Sequence, residues 1–185
     1  MTEREKMRSG ELYDANFDPA LLQERLEAEG LTWELNALRP DDPRRPELLA
    51  RIMGTLEAGV TVLSPVYFDY GSLTKMGAGT FVNHGCYFMD GGGITIGKNV
   101  FIGPFTGFYT AAHPTDYARR NAGLEWAKPI RVGDNCWFGA NCSVMPGVTI
   151  GSGCVISAGS VVAADIPDNC IAAGVPAVVK KKIEQ

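Results

Sequence analysis

The chain has 185 residues, 45% hydrophobic and 21% charged, enough for one main buried core with room for a small appended element. A formal charge of −4 and a pI near 5.2 leave no basic excess, which excludes a nucleic-acid surface or an anionic membrane as an expected partner. The opening MTEREKMRSG lacks the apolar stretch of a signal peptide and no segment reaches the ~20 apolar residues of a membrane span, so a soluble, cytoplasmic protein is expected.

In chain order, Asp18-Pro19 reads as a helix start, followed by Leu22, Leu26, Leu31 and Leu35 as an apolar face of imperfect spacing that Gly30 interrupts. After the turn RPDDPRRP, Pro46-Glu47 opens a second helical stretch carrying Leu48, Leu49, Ile52, Met53 and Leu56. These short amphipathic helices are expected to pack on one end of the strand-rich remainder of the chain and protect its exposed edge.

Beyond the helices the spacing changes to six. Apolar residues stand at Met76, Val82 and Phe88, slip by two residues at Gly91-Gly92-Gly93, and resume at Ile96, Ile102 and Phe108. A second, unbroken series runs through Val132, Phe138, Val144, Ile150, Ile156 and Val162. Neither a 3.6-residue helical period nor strict alternation fits this spacing, whereas stacked coils of short parallel strands do, three units closing one triangular coil. The fifth position of each unit is small: Cys136, Cys142, Val148, Cys154 and Ser160. With Cys86 in the same place, four of the five cysteines read as compact core residues, and only Cys170 falls outside the frame. The cysteines form no CxxC pair and have no histidine at metal spacing, so neither a disulfide framework nor a metal is expected.

Between Phe108 and Pro129 the run YTAAHPTDYARRNAGLEWAK places Pro114, Arg120 and Trp126 where core residues would stand, so it must leave the coil as a loop. That loop carries His113, one of only two histidines; the other is His84. An imidazole there, with its backbone restricted by Pro114, is either a general base or a solvated loop residue.

The segments GELYDAN, SPVYFDYGS, YTAAHPTDYARRNAG, KPIRVGDNCWFGANCSVMPGVTIGSGCVISAGSVVAADIPDN and AGVPA together resemble the maltose/galactoside-type O-acetyltransferases, over nearly all of residues 5–182. The resemblance implies a left-handed parallel β-helix of hexapeptide repeats, an all-β core with an N-terminal helical cap and an extruded active-site loop. It implies a homotrimer with active sites between subunits, acetyl-CoA as co-substrate and a small hydroxyl acceptor, a sugar in the first instance. The expected organisation is a cap over residues 1–58, the β-helix over 59–179 with its loop at 109–129, and a basic tail over 180–185.

By the same resemblance His113 is the base that takes the acceptor's hydroxyl proton, and Asn83 holds the acceptor or the tetrahedral intermediate. The backbone N–H of Ala140 would hold the oxyanion. Trp137 would face outward, against CoA, the acceptor or a neighbouring subunit. Ala158 and Gly159 match the pantetheine groove. Ala163-Ala164 and Val178 stand where relatives carry a Thr-Lys pair and an arginine, which leaves Lys181 as the phosphate-side cation. Asp69, Tyr70 and Asp90 resemble acceptor-pocket residues, joined by Asp14 and Arg8 from the cap, while Arg119 tethers the loop. A non-sugar acceptor or a non-catalytic scaffold remains open on sequence alone; a metal-dependent hydratase would need a third histidine.

Overall fold

A strand of two or three residues cannot hold itself, because its N–H and C=O groups point along the stack and need a neighbour on each side. A computed structural model, describing residues 1–184, shows how this chain supplies those neighbours: it coils into a left-handed β-helix of about six turns. Three parallel faces result, of seven, five and four strands, the seventh strand of the first being antiparallel.

The hexad positions are the core. Met76, Val82, Phe88, Ile96, Ile102, Phe108, Val132, Phe138, Val144, Ile150, Ile156 and Val162 are all buried. Phe68, Phe88 and Phe108 stack at 5.1 and 5.3 Å between ring centroids, and Phe138 meets Phe108 edge-on at 5.5 Å. The small fifth position has a reason beyond volume. Cys136 Sγ donates to Gly151 O at 3.0 Å, Cys154 to Pro167 O at 3.1 Å and Cys142 to Ser157 O at 3.3 Å, each a carbonyl of the next coil. Thr80 and Thr106 occupy the same place and donate to Gly97 O and Gly139 O. A short side chain with one donor fits there, and burial pushes the Cys86 and Cys136 thiols up to about 11. Cys170, expected outside the frame, belongs to it: Val155 pairs with Ile171, so Cys154 and Cys170 share one column, and Cys170 is fully enclosed.

Departures from the hexad fall at one corner, between the five-stranded and four-stranded faces. The first coils advance by 20 residues, as in the pairs Val66–Cys86 and Thr74–Ile94, with their extra residues at 69–73 and 89–93. The next coil advances by 36, from Gly107 to Ser143, because the loop leaves there. Later coils advance by 18, as from Ser143 to Val161, and the last by 16, as from Val155 to Ile171.

The cap holds three helices: α1 (Glu3–Ser9), α2 (Pro19–Ala37) and α3 (Arg45–Met53). Asp18 caps α2 by accepting from Leu21 N at 2.9 Å. The expected apolar face of α2 is corrected: Leu22 and Leu26 are exposed, while Leu21, Ala28, Thr32 and Leu35 are buried, and Gly30 lies inside an unbroken helix. The face rotates because α2 must present Leu35 and Asn36 to the first coil. Asn36 mimics a further strand there, its amide donating to Val66 O at 2.8 Å and accepting from Val66 N at 3.0 Å. Arg45, also buried, donates to Leu35 O, Val62 O and Ser64 Oγ at 3.0–3.2 Å. The first-coil edge is thus closed by side chains.

At the other end, Lys180–Lys182 is no loose tail. Ala177–Lys182 is a strand antiparallel to Cys170–Gly174 and pairs Lys181 with Ile171. Gln185, the end of the expected tail, lies outside the described residues.

Candidate active site

The loop is a folded excursion. Ala111–Ala112 pairs antiparallel with Trp126–Ala127, and Tyr13–Asp14 from the cap adds a third strand by pairing with Leu124 and Glu125. Between them a short helix, α4 (Tyr117–Asn121), is capped by Asp116. The tether is Arg120 and not the expected Arg119: Arg120 Nη1 donates to Pro114 O at 3.1 Å. Met7, Tyr13, Ala15, Leu21, Tyr70 and Ala127 form a small second core that fixes cap, corner and loop together.

His113 stands at the start of this excursion with its Nδ1 3.0 Å from Leu124 O. A carbonyl only accepts, so Nδ1 carries the proton and Nε2 presents its lone pair. Nε2 faces Glu125 Oε2 at 3.7 Å, too long for a hydrogen bond and suited to an ion pair once the ring is protonated. The other oxygen of Glu125 accepts from the Tyr13 hydroxyl, which is buried. Burial raises the Glu125 carboxyl above its ordinary range; Tyr13's hydrogen bond and the charges of His113 and Arg25 oppose that rise.

Glu125 lines a cleft of about 190 Å³ with Asp69, Tyr70, Arg25, Met89 and Gly91. The extra corner residues build it. Asp69 is half-buried, accepts from the Tyr87 hydroxyl, and is raised above the usual carboxylate range by burial, against the Tyr87 hydrogen bond and the Arg25 charge. Tyr70 is buried, with its hydroxyl accepting from Arg25 Nη1 at 2.8 Å, and burial pushes it up to about 12. Gly92 allows close approach of the loop's end, since a Cβ there would lie 2.8 Å from the Lys128 backbone.

Two expected acceptor contacts have internal roles instead. Asp90 is fully enclosed, accepting from Tyr70 N at 2.8 Å and from the Thr74 hydroxyl at 2.9 Å, so it shapes the corner from within. Asp14 closes its own turn, accepting from Asn16 N and Phe17 N. Arg8 is exposed on α1 and does not line the cleft. Arg25, Glu125 and Tyr13 are site residues that sequence reasoning missed; they sit on a helix and two strands whose pairing no local pattern announces.

The remaining expected residues lie elsewhere. Asn83 follows the strand Phe81–Val82 at the corner between the seven- and five-stranded faces, and its Oδ1 accepts from His84 N at 2.8 Å. Ala140, Ala158 and Gly159 stack on that same corner, with Gly159 N donating to Ala140 O at 2.8 Å. Ala140 N–H makes no hydrogen bond among the described residues. Within one chain the five-stranded face separates this corner from His113. Trp137 projects outward from the seven-stranded face, 57% exposed, in register with the exposed Phe101. Ala163-Ala164 lie exposed at the shortened last corner, and Lys181 is exposed on its strand. No group of three His, Cys, Asp or Glu that could hold a metal ion exists among the described residues, and no helix there is long and apolar enough to cross a membrane.

A β-helix of hexads with an imidazole held out at its one irregular corner defines a hexapeptide-repeat protein, and the comparisons agree. Residues 6–57 match the maltose acetyltransferase hexapeptide capping motif, and residues 129–164 match the hexapeptide repeat of succinyl-transferase. A putative acetyltransferase of Staphylococcus aureus strain MRSA252 is 51% identical over 100% of this chain and 93% of its own length. The crystal structure of a maltose O-acetyltransferase from Clostridium difficile 630 superposes with a TM-score of 0.97 at 42% identity, covering 100% of this chain and 99% of that one. A hexapeptide-repeat acetyltransferase from Vibrio cholerae, solved with acetyl coenzyme A, superposes with a TM-score of 0.91 at 37% identity over 100% of both chains. The chain belongs to the hexapeptide-repeat acetyltransferase family, in the branch that carries the maltose acetyltransferase cap.

Proposed function

We propose that this protein transfers an acetyl group from acetyl-CoA to a hydroxyl of a small sugar acceptor, with His113 as general base, in a homotrimer whose active sites lie between subunits. The observation that carries this reading is the tautomer of His113: the Leu124 carbonyl holds the proton on Nδ1 and leaves the Nε2 lone pair facing Glu125, a residue that lines the cleft.

His113 Nε2 takes the proton of the acceptor hydroxyl as that oxygen bonds to the thioester carbonyl carbon. Glu125 balances the imidazolium that forms. When the C–S bond breaks, the proton passes from Nε2 to the departing thiolate, and the neutral ring is restored. A positioned base of this kind contributes ~10²–10⁴-fold. All five cysteines are buried, and burial raises the thiols of Cys86, Cys136, Cys142 and Cys154, so the cysteines offer no covalent nucleophile and transfer is direct.

The trimer answers a geometric problem. Asn83 and Ala140 stand at one end of the five-stranded face and His113 at the other, so a closed three-fold ring sets one corner against the opposite corner of the next copy. The Ala140 N–H of one subunit then serves the oxyanion formed beside His113 of its neighbour, with Asn83 close to it. The groove of Ala140, Ala158 and Gly159 suits a narrow pantetheine arm, for a Cβ at Gly159 would meet nothing within 4 Å. Lys181 supplies charge for the CoA phosphates, and Trp137 borders the same groove.

The reading is tested by following thiol release from acetyl-CoA with and without glucose, maltose and galactosides, and weighing the acceptor by mass spectrometry. Sugar-dependent thiol release with a one-acetyl mass gain supports it. Release that stays at the acceptor-free rate with every hydroxyl compound overturns it.

A further inference from the structure

Five residues other than glycine hold a positive φ among the described residues. Four are asparagines, Asn99, Asn135, Asn141 and Asn169, whose short polar side chain tolerates the left-handed region. The fifth is Phe105, at +59°, and a bulky side chain in that conformation strains the backbone. Core packing does not explain it, for Phe105 is 63% exposed and belongs to neither hydrophobic core.

Its place in the coil is specific. Backbone bonds stack the corner between the seven- and five-stranded faces coil upon coil: Phe105 N donates to His84 O at 2.8 Å, Asn141 N to Pro104 O at 2.9 Å and Gly159 N to Ala140 O at 2.8 Å. Gly85, Phe105, Asn141 and Gly159 therefore form one column of left-handed positions, with φ of +73°, +59°, +57° and +73°. Only Phe105 brings a large side chain to that column. Its ring lies over Gly85, where a Cβ would collide with it, so the glycine makes room for the aromatic. Phe105 is thereby held between Asn83, two residues before Gly85, and Ala140, immediately before Asn141. A contact between copies does not require a strained residue, since Phe101 presents an exposed ring from a strand without a positive φ.

We propose that Phe105 is an acceptor-binding residue whose ring, standing beside Asn83 of the same copy, stacks on the C–H face of the pyranose that His113 of the next copy deprotonates. This rests on the acetyl-transfer reading above and goes further, naming a residue that sets the preference for a ring-shaped acceptor. A pyranose has apolar C–H faces and a rim of hydroxyls, so an exposed aromatic face and the Asn83 amide divide its recognition between them. Strain held at this one corner position is the cost of aiming the ring at the acceptor.

The experiment compares Phe105→Asn, which installs the residue that Asn141 already supplies in this column, with Phe105→Tyr, which keeps the ring. Steady-state acetyl transfer to glucose and maltose is measured with thermal unfolding and sedimentation. Phe105→Asn is expected to lower kcat/KM for sugar roughly tenfold, mainly through KM, with KM for acetyl-CoA changed by less than about twofold. Its thermal midpoint is expected to equal or exceed that of the wild type, because asparagine relieves the strain. Phe105→Tyr should stay near the wild type in both KM values. An unchanged sugar KM in Phe105→Asn overturns the assignment and leaves the parent reading standing. So does a rise that Phe105→Tyr shares, or one accompanied by a lower midpoint or altered sedimentation, which would give the ring to corner stability or to contact between copies. Failure of the wild type to acetylate any sugar defeats the parent reading, and this assignment with it.

Discussion

Glu125 Oε2 stands 3.7 Å from His113 Nε2 while the other oxygen of the same carboxylate is held by Tyr13. With Nδ1 committed to Leu124 O, the lone pair and the carboxylate face each other as two acceptors, an arrangement that becomes favourable when a proton arrives at Nε2. In the proposed mechanism Glu125 is a positioning residue that stabilises the protonated ring. Glu125→Gln keeps the shape and an acceptor for Tyr13 but removes the charge; kcat is expected to fall roughly 10–100-fold with KM for acceptor little changed. The check is a full kcat and KM determination, with Glu125→Asp expected to recover part of the rate.

The cap is expected to stabilise the coil through its strand-mimicking amide. Asn36→Ala leaves Val66 N and O without their partners at the first-coil edge and should cost about 1–3 kcal/mol. Urea unfolding measures this, and the freed edge should also increase aggregation on refolding.

Asp90 should leave a signature in stability against pH. Burial first of all raises its carboxyl to about 6 from an unfolded value of 3.8, against the hydrogen bonds from Tyr70 N and Thr74. The folded state therefore keeps its proton after the unfolded chain has lost it, so this group's contribution favours folding below about pH 4 and is lost as pH rises through about 6. The decline is on the order of 3 kcal/mol. Asp90→Asn, which cannot ionise, is expected to flatten that part of the profile; thermal or urea unfolding between pH 4 and pH 7 would show it.

At the far end, the pairing of Lys181 with Ile171 turns a run of lysines into an ordered strand. Lys181→Ala is expected to raise KM for acetyl-CoA roughly three- to tenfold at low ionic strength, an effect that shrinks with added salt, while KM for acceptor stays put. Kinetics at two salt concentrations separate this from a loss of folding.

The coil is legible in the sequence because hexad spacing is a repeated constraint: each of Val132, Phe138, Val144, Ile150, Ile156 and Val162 must face inward for its neighbour to do so. The breaks in that spacing are equally informative, since the slip at Gly91–Gly93 and the loop bearing His113 fall at the one corner where the cleft forms. The face of α2 is not legible, because leucines such as Leu22 and Leu26 carry no mark of which side meets the coil. Nor is the role of Asp90: a carboxylate in a turn looks the same in sequence whether it greets a ligand or, as here, Tyr70 N and the Thr74 hydroxyl. Glu125 and Tyr13, 112 residues apart, meet through strand pairing with the cap, which short-range patterns do not encode.

The most direct test of the account is the rate of acetyl transfer to a sugar hydroxyl by His113→Ala against the wild type, at matched thermal stability. Removal of the imidazole is expected to lower kcat by ~10²–10⁴-fold while acetyl-CoA binding persists. A variant that folds, binds acetyl-CoA and transfers within twofold of the wild-type rate would contradict the assignment of His113 as the base.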